Sequence, residues 1–319
     1  MGAERRRESA SPIDMSVNVG RARLRHAVMT ASGTAGHADE LAAYGALDTL
    51  GAVVVKSLSI MPWAGNPAPR VHPVAQGMLN AVGLQGPGMD AWLRDDLPRL
   101  AARGADVVVS VWGRSLDEYR DVARALANGL GDGPHPIVAV EVNLSCPNMN
   151  GHGIFAHDAD LSAAVIASVV GEVSLPVWAK LSPNTDRMVA IAGRVRDAGA
   201  DAVTLINTVL AMALDPETGR PALGNGGGGL SGRAIHPVAV RAVHDVRAAH
   251  PDLPIVGVGG VADGWSAAEL IMAGADAVQV GTATFADPAA PFQVARDLEA
   301  WLRTHGHRSI GSLRGLAHR

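Results

Sequence analysis

The chain has 319 residues, 48% of them hydrophobic and 18% charged, with 37 glycines, which suits one large α/β barrel or two average domains and excludes a disordered polymer. Lys+Arg 27 against Asp+Glu 31 leaves a net charge of −4, so no overall positive field recruits nucleic acid or an anionic membrane surface. The single cysteine, Cys146, excludes an internal disulfide, suits a reducing compartment, and leaves any four-thiolate iron–sulfur cluster to another chain.

No run approaches the roughly 18 apolar residues of a membrane span. Residues 1–15, with Arg5, Arg6 and Arg7 and no following apolar stretch, read as a disordered tail on a cytoplasmic protein. Residues 16–319 read as one domain, because short β-branched runs and helical periodicity alternate without a break in composition.

In chain order, a strand at Ala27–Thr30 leads to a helix at His37–Leu50, and a strand at Ala52–Ser57 to a helix at Gly88–Arg103. Strand Asp106–Val111 precedes helix Ser115–Asn128, strand Val138–Leu144 precedes helix Asp160–Glu172, and strand Pro176–Leu181 precedes helix Thr185–Ala198. The last three units pair Ala202–Asn207 with Ile235–His250, Pro254–Gly259 with Gly264–Ala273, and Ala277–Gly281 with Pro288–Thr304. Strands as apolar as Val53-Val54-Val55 are covered on both faces, so a single-domain (β/α)8 TIM barrel fits better than an open sheet. Two connections, Leu58 to Pro87 and Val209 to Ser231, are too long for ordinary barrel loops, and Pro147 to Asp160 is also long enough to fold over a site.

The polar residues gather at the C-terminal ends of these strands: Lys56 and Ser57, Asn143 to Asn148, Lys180, Asn207 and Thr208, Gly259 and Gly260, Gly281 and Thr282. A barrel brings all of them to one rim, the face at which barrel enzymes work. Any one lysine or asparagine there could simply reach solvent or cap a turn, but together they need more than loop chemistry. Glycines after the last two strands, in Gly257-Val-Gly-Gly260 and Val280-Gly-Thr282, stand where barrels bind phosphate through backbone N–H groups. No Gly-x-Gly-x-x-Gly opens a helix in a dinucleotide-binding setting, so FMN is favoured over a dinucleotide. Lysines can hold positive charge against an electron-rich ring or a carboxylate, and amides match a ring with alternating N–H and C=O groups. Cys146 among them is a candidate base, because neighbouring lysine charge favours the thiolate. The twelve histidines, including His152, His157 and His305-Gly-His307, show no metal-ligand spacing, so no metal is expected.

These motifs resemble class 1 dihydroorotate dehydrogenases, most closely the NAD-linked class 1B catalytic subunit. The resemblance runs from Ser16 to Arg319 and is carried by Met29-Thr-Ala-Ser-Gly33, Val55-Lys-Ser57, Gly65-Asn-Pro67, Leu79-Asn-Ala-Val-Gly-Leu-Gln85, Glu141-Val-Asn-Leu-Ser-Cys-Pro-Asn148, Ala179-Lys-Leu-Ser-Pro-Asn184, Leu205-Ile-Asn-Thr208, Gly229-Leu-Ser-Gly232 and Val280-Gly-Thr-Ala283. It implies FMN contacted by Ser32, Lys56, Ser57, Asn143, Lys180 and Ile206, with Gly232, Gly259, Gly260, Gly281 and Thr282 at its phosphate end. It implies dihydroorotate held by Lys56, by Asn80, Ala81, Val82, Gly83 and Leu84, and by Asn143, Asn148, Asn207 and Thr208. Cys146 would take a proton from C5 while hydride leaves C6, giving orotate for pyrimidine biosynthesis. The family likeness further implies a homodimer, within a heterotetramer whose second subunit carries FAD and a [2Fe–2S] cluster and reaches NAD. Four departures from the family pattern stand out: Ser110 in place of an asparagine, Arg25-His26 in place of Asn-Pro before the first strand, Gly226 to Gly228 (within the glycine run to Gly229) in place of bulkier residues, and Ile154-Phe-Ala-His157 in place of small residues. Competing readings are an FMN oxidoreductase for another dihydropyrimidine or a specialised metabolite, a fumarate-linked class 1A enzyme, and a non-catalytic barrel serving as a scaffold.

Overall fold

A computed structural model describes residues 12–131, 133–145 and 155–319. Eight parallel strands form the expected barrel: β1 Val28–Thr30, β2 Val53–Val54, β3 Val107–Val111, β4 Ile137–Asn143, β5 Val177–Lys180, β6 Ala202–Leu205, β7 Ile255–Val258 and β8 Ala277–Val280. Ladders run from β2 through β3 to β8 and on to β1. The remaining seam, between β1 and β2, is closed by Gly51 N–H to Val28 O at 2.8 Å, Thr30 N–H to Ala52 O at 3.3 Å, and Val54 N–H to Thr30 Oγ1 at 2.8 Å.

Because side chains alternate along a strand, successive inward positions form layers. The floor is apolar: Met29, Val54, Val108, Ala139, Trp178, Ala202, Val256 and Ala277 pack into one buried cluster. Two residues further along, most of the same strands turn polar, placing Lys56, Ser110, Glu141, Lys180, Thr204 and Gln279 above that floor. All of these but Lys56 are buried. An N-terminal hairpin, Val17–Val19 with Ala22–Leu24, plugs the opposite end by adding Val19, Ala22 and Leu24 to the floor cluster. Ile13 and Met15 are buried as well, so packing against the barrel begins at Ile13 rather than at residue 16.

Helices ring the strands where apolar stripes and caps coincide. Leu116–Leu130 starts with the Ser115 side chain accepting from Glu118 N–H and buries Tyr119, Val122, Ala123 and Leu126 along one face. Gly264–Ala273 starts with a capping box between Asp263 and Ser266. Two expected helices differ. In place of a helix over 37–50 there are two short 3-10 turns, Glu40–Ala43 and Leu47–Thr49. Between them Gly45 lies against the Phe292 ring, only 2.6 Å from where a Cβ would stand, so tertiary packing there overrides a weak local helix signal. The span 88–103 is two helices, Met89–Asp95 and Leu97–Ala102, since Pro98 has no N–H to continue the ladder across the break.

The two long connections are not loops throughout. Val71–Val74, Gly77–Asn80, Val209–Ala211 and Gly228–Ser231 pair into a four-stranded antiparallel sheet, with Asn80 opposite Gly229. This sheet walls one side of the rim.

Candidate active site

A cavity of about 280 Å³ opens at the C-terminal ends of the strands. Each described residue singled out above as contacting FMN or substrate lines it. From the barrel come Ser32, Lys56, Ser57, Asn143, Lys180 and Ile206; from the glycine turns, Gly232, Gly259, Gly260, Gly281 and Thr282; from the outer wall, Asn80, Ala81, Val82, Gly83, Leu84, Asn207 and Thr208. Cys146 and Asn148 lie outside the described residues. Thr34, Met78, Ser231 and Phe285 also line the cavity and were not singled out from the sequence.

The asparagines are held by one another. Asn207 Nδ2 donates to Asn143 Oδ1 at 3.1 Å, Thr208 N–H donates to Asn207 Oδ1 at 2.7 Å, and Ser145 N–H donates to Asn143 Oδ1 at 3.2 Å. Asn184, a residue of the quoted motifs that carried no assigned role, donates to Thr208 O at 3.0 Å and accepts from Leu210 N–H at 2.8 Å. Beneath the rim, Tyr119 Oη donates to Asn143 O at 2.6 Å. Rotamers are therefore set before anything binds, which preorganises the amide edges.

Lys56 and Lys180 are the only lysines in the sequence, every other strong base being arginine; both line the cavity, and no acidic side chain does so among the described residues. Lys56 reaches toward the Gly33 turn, where a Cβ would stand 3.2 Å from its Nζ. Lys180 Nζ instead lies 3.2 Å from Glu141 Oε1, and Glu141 Oε2 accepts from Thr204 Oγ1 at 3.1 Å and Gln279 Nε2 at 2.7 Å. Glu141 is 0% exposed. The sequence motifs assign no role to Glu141, Thr204 or Gln279; the signal for each is a polar residue interrupting an apolar strand, two positions beyond an inward-facing one. The chain Ser32–Ser57–Ser110, with hydroxyl separations of 3.3 and 2.9 Å, reaches inward from the same wall. Beside it, burial holds His37 below the ordinary imidazole range, against the opposing pull of Asp96 and Glu40.

The glycine turns leave a cradle free of side chains. Gly260, at φ +71°, would place a Cβ 2.6 Å from His236 Cβ, so only glycine fits there. His236 is fixed in turn, its Nδ1 2.8 Å from Gly259 O and its Nε2 3.0 Å from Glu269 Oε2. A cradle of bare backbone at one end, amides along a wall and a buried lysine beneath could hold a phosphorylated cofactor with a planar polar ring. Trp178 is core, and Trp63 packs edge-on against Trp112 with the Arg114 guanidinium 4.8 Å above its ring, so none of the three is a platform in this cavity.

A profile of the dihydroorotate dehydrogenase family matches residues 14–302. The chain belongs to the dihydroorotate dehydrogenase family. It is 49% identical over 297 residues to a dihydroorotate dehydrogenase B (NAD(+)), catalytic subunit, of Desulforudis audaxviator, covering 93% of this chain and 95% of that protein. It is 46% identical over 303 residues to the protein of the same description from Geobacter sp. strain M21, covering 95% and 97%. Family membership makes the chain an oxidoreductase, and the cavity lies at the rim on which barrel enzymes carry their chemistry. No helix among the described residues is long and apolar enough to cross a membrane.

Proposed function

We propose that the chain oxidises (S)-dihydroorotate to orotate in pyrimidine biosynthesis, with FMN as hydride acceptor and Cys146 as base. The observation that carries this reading is the convergence on one cavity of both lysines, three neighbouring amide or hydroxyl side chains (Asn143, Asn207 and Thr208) and the glycine cradle. Bound FMN would supply a two-electron acceptor. The chain's own residues supply binding, orientation and proton transfer. Lys56 offers an ammonium to the substrate carboxylate, while the Asn143, Asn207 and Thr208 edge, with Asn80 in the same cavity wall, matches the alternating donors and acceptors of a dihydropyrimidine. Lys180 offers positive charge where electrons arrive. Cys146, directly after Ser145 of the cavity wall, accepts the C5 proton, with Asn148 completing the amide set.

The description of the relatives as catalytic subunits supports a second chain that carries electrons onward. We propose a homodimer of this chain within a heterotetramer, the partner holding FAD and a [2Fe–2S] cluster and reducing NAD in the cytoplasm. Cys146→Ala tests the central assignment: the variant should retain yellow FMN, yet bleach with dihydroorotate about 10² to 10⁴-fold more slowly, the range for a positioned base. Bleaching at the normal rate would remove Cys146 from the reaction. Equal turnover of dihydrouracil would remove the carboxylate from recognition, and rapid unaided turnover with fumarate would remove the partner.

A further inference from the structure

Among the described residues, the polar layer beneath the cavity contains one acid, Glu141, and each of its carboxylate oxygens has its own partners. Glu141 sits on β4, Lys180 on β5, Thr204 on β6 and Gln279 on β8. Thr204 and Gln279 both donate to Oε2, which orients the carboxylate so that Oε1 meets Lys180. The Lys180 side chain is 8% exposed and that of Glu141 0%. An ammonium so enclosed is costly without a counter-charge, and removing the partner of a buried pair leaves that cost uncompensated.

We infer that Glu141 is a positioning residue that keeps Lys180 protonated and aimed at the cavity, so that a cation is in place before negative charge arrives on the bound ring. This rests on the FMN reading above for its purpose, but not for its test. A lysine that lost its proton at rest would have to regain one during each turnover; a compensated lysine stabilises incoming charge with no such reorganisation. Among the described residues, the other charged side chain lining the cavity is Lys56, on the loop after β2. The remaining neighbours in the layer, Ser110, Thr204 and Gln279, are neutral.

The sequence makes the test direct. With only two lysines in the chain, the full-length protein grown on lysine carrying carbon-13 at Cε shows two side-chain signals, and Lys180→Met assigns them by deletion. Without FMN, the wild-type Lys180 signal is expected to stay at its ammonium position from about pH 6 to 9. In Glu141→Gln, which keeps the shape and removes the charge, that signal should move to the amine position within the range while the Lys56 signal does not, and Glu141→Asp should restore it. With FMN bound, the Gln variant should take up one more proton than wild type per two-electron reduction by dithionite. An unchanged Lys180 titration in Glu141→Gln overturns the inference. Should that variant fail to fold, the wild-type titration decides: a Lys180 signal that moves to the amine position below about pH 9 with Glu141 in place overturns the inference. Because the spectra are taken without flavin, failure to bind FMN would sink the functional reading and leave this assignment standing or falling by itself.

Discussion

Gly229→Ala probes whether the small antiparallel sheet sets the position of the substrate wall. Gly229 lies in the strand facing Asn80, and its φ is outside the left-handed region, so alanine is allowed by the backbone. What alanine meets is Thr208: the new Cβ would stand 2.0 Å from Oγ1 and 2.6 Å from Cβ of that residue. Rotating Thr208 about χ1 carries Oγ1 away but leaves its Cβ in place, so the rim backbone itself must retreat. Oγ1 has to move by about 1 Å to reach even a tight 3.0 Å contact, and a displacement of that size at a positioned group costs about 10²-fold in rate. That is about 2.7 kcal/mol in the barrier. Gly229 does not line the main cavity, so FMN content should match wild type. The assay is anaerobic stopped-flow mixing with saturating dihydroorotate, following the loss of flavin absorbance. Gly227→Ala is the control, because its nearest contact would be an ordinary 3.4 Å from Ala211 O. Reduction of the Gly229 variant within about threefold of wild type would refute the claim that this sheet fixes Thr208.

Three further outcomes are expected. Burial lowers the His26 pKa to about 4 from 6.5, with Glu299 opposing, and Val28 N–H donates to its Nδ1 at 3.0 Å, which requires that nitrogen unprotonated. The unfolded chain therefore binds the extra proton, and His26 should withdraw up to about 3 kcal/mol of stability as pH falls from 6.5 to about 4. His26→Asn keeps an acceptor without the titration, so its melting temperature should fall less than that of wild type over this window, and parallel curves would contradict the assignment. Asp276→Ala should cost about 3–5 kcal/mol in a urea titration, because Asp276 Oδ2 takes Arg247 Nη2 at 2.9 Å and Ile255 N–H at 2.8 Å in a buried setting. Adding Arg247→Met should recover part of that loss, since burial already presses against the Arg247 charge. Replacing Trp178, 0% exposed in the barrel floor, with alanine should cost about 3–5 kcal/mol, read from the same titration; a loss under about 1 kcal/mol would mean that the floor is not close-packed.

Much of the site was legible because its residues sit at strand ends, and a strand end is a local signal. Lys56, Asn143, Lys180, Asn207 and the glycines of 257–260 each close an apolar run, and the alternation of eight such runs with helical stretches leaves few architectures besides a barrel. Once the barrel closes, geometry alone brings those ends to one rim. Glu141, Thr204 and Gln279 were harder to see, since Thr204 and Gln279 are each the one polar residue of an apolar strand and Glu141 shares its strand with Asn143 alone among polar residues.

The amino-acid order by itself determined the β/α alternation, the barrel, and which residues stand on its working face, because periodicity and turn chemistry act over a few residues. Tertiary structure alone decided the rest. Met78 and Ser231 are 153 residues apart yet hydrogen-bonded, and only that pairing turns two long connections into a wall. Glu141 and Gln279, 138 residues apart, meet because strands on different parts of the barrel direct them into one layer. The 37–50 segment forms two short 3-10 turns, with Gly45 between them packed on the Phe292 ring. Contacts between distant segments have no local pattern: they are selected by what the closed barrel leaves to be buried or hydrogen-bonded, a requirement that exists only after the chain has folded.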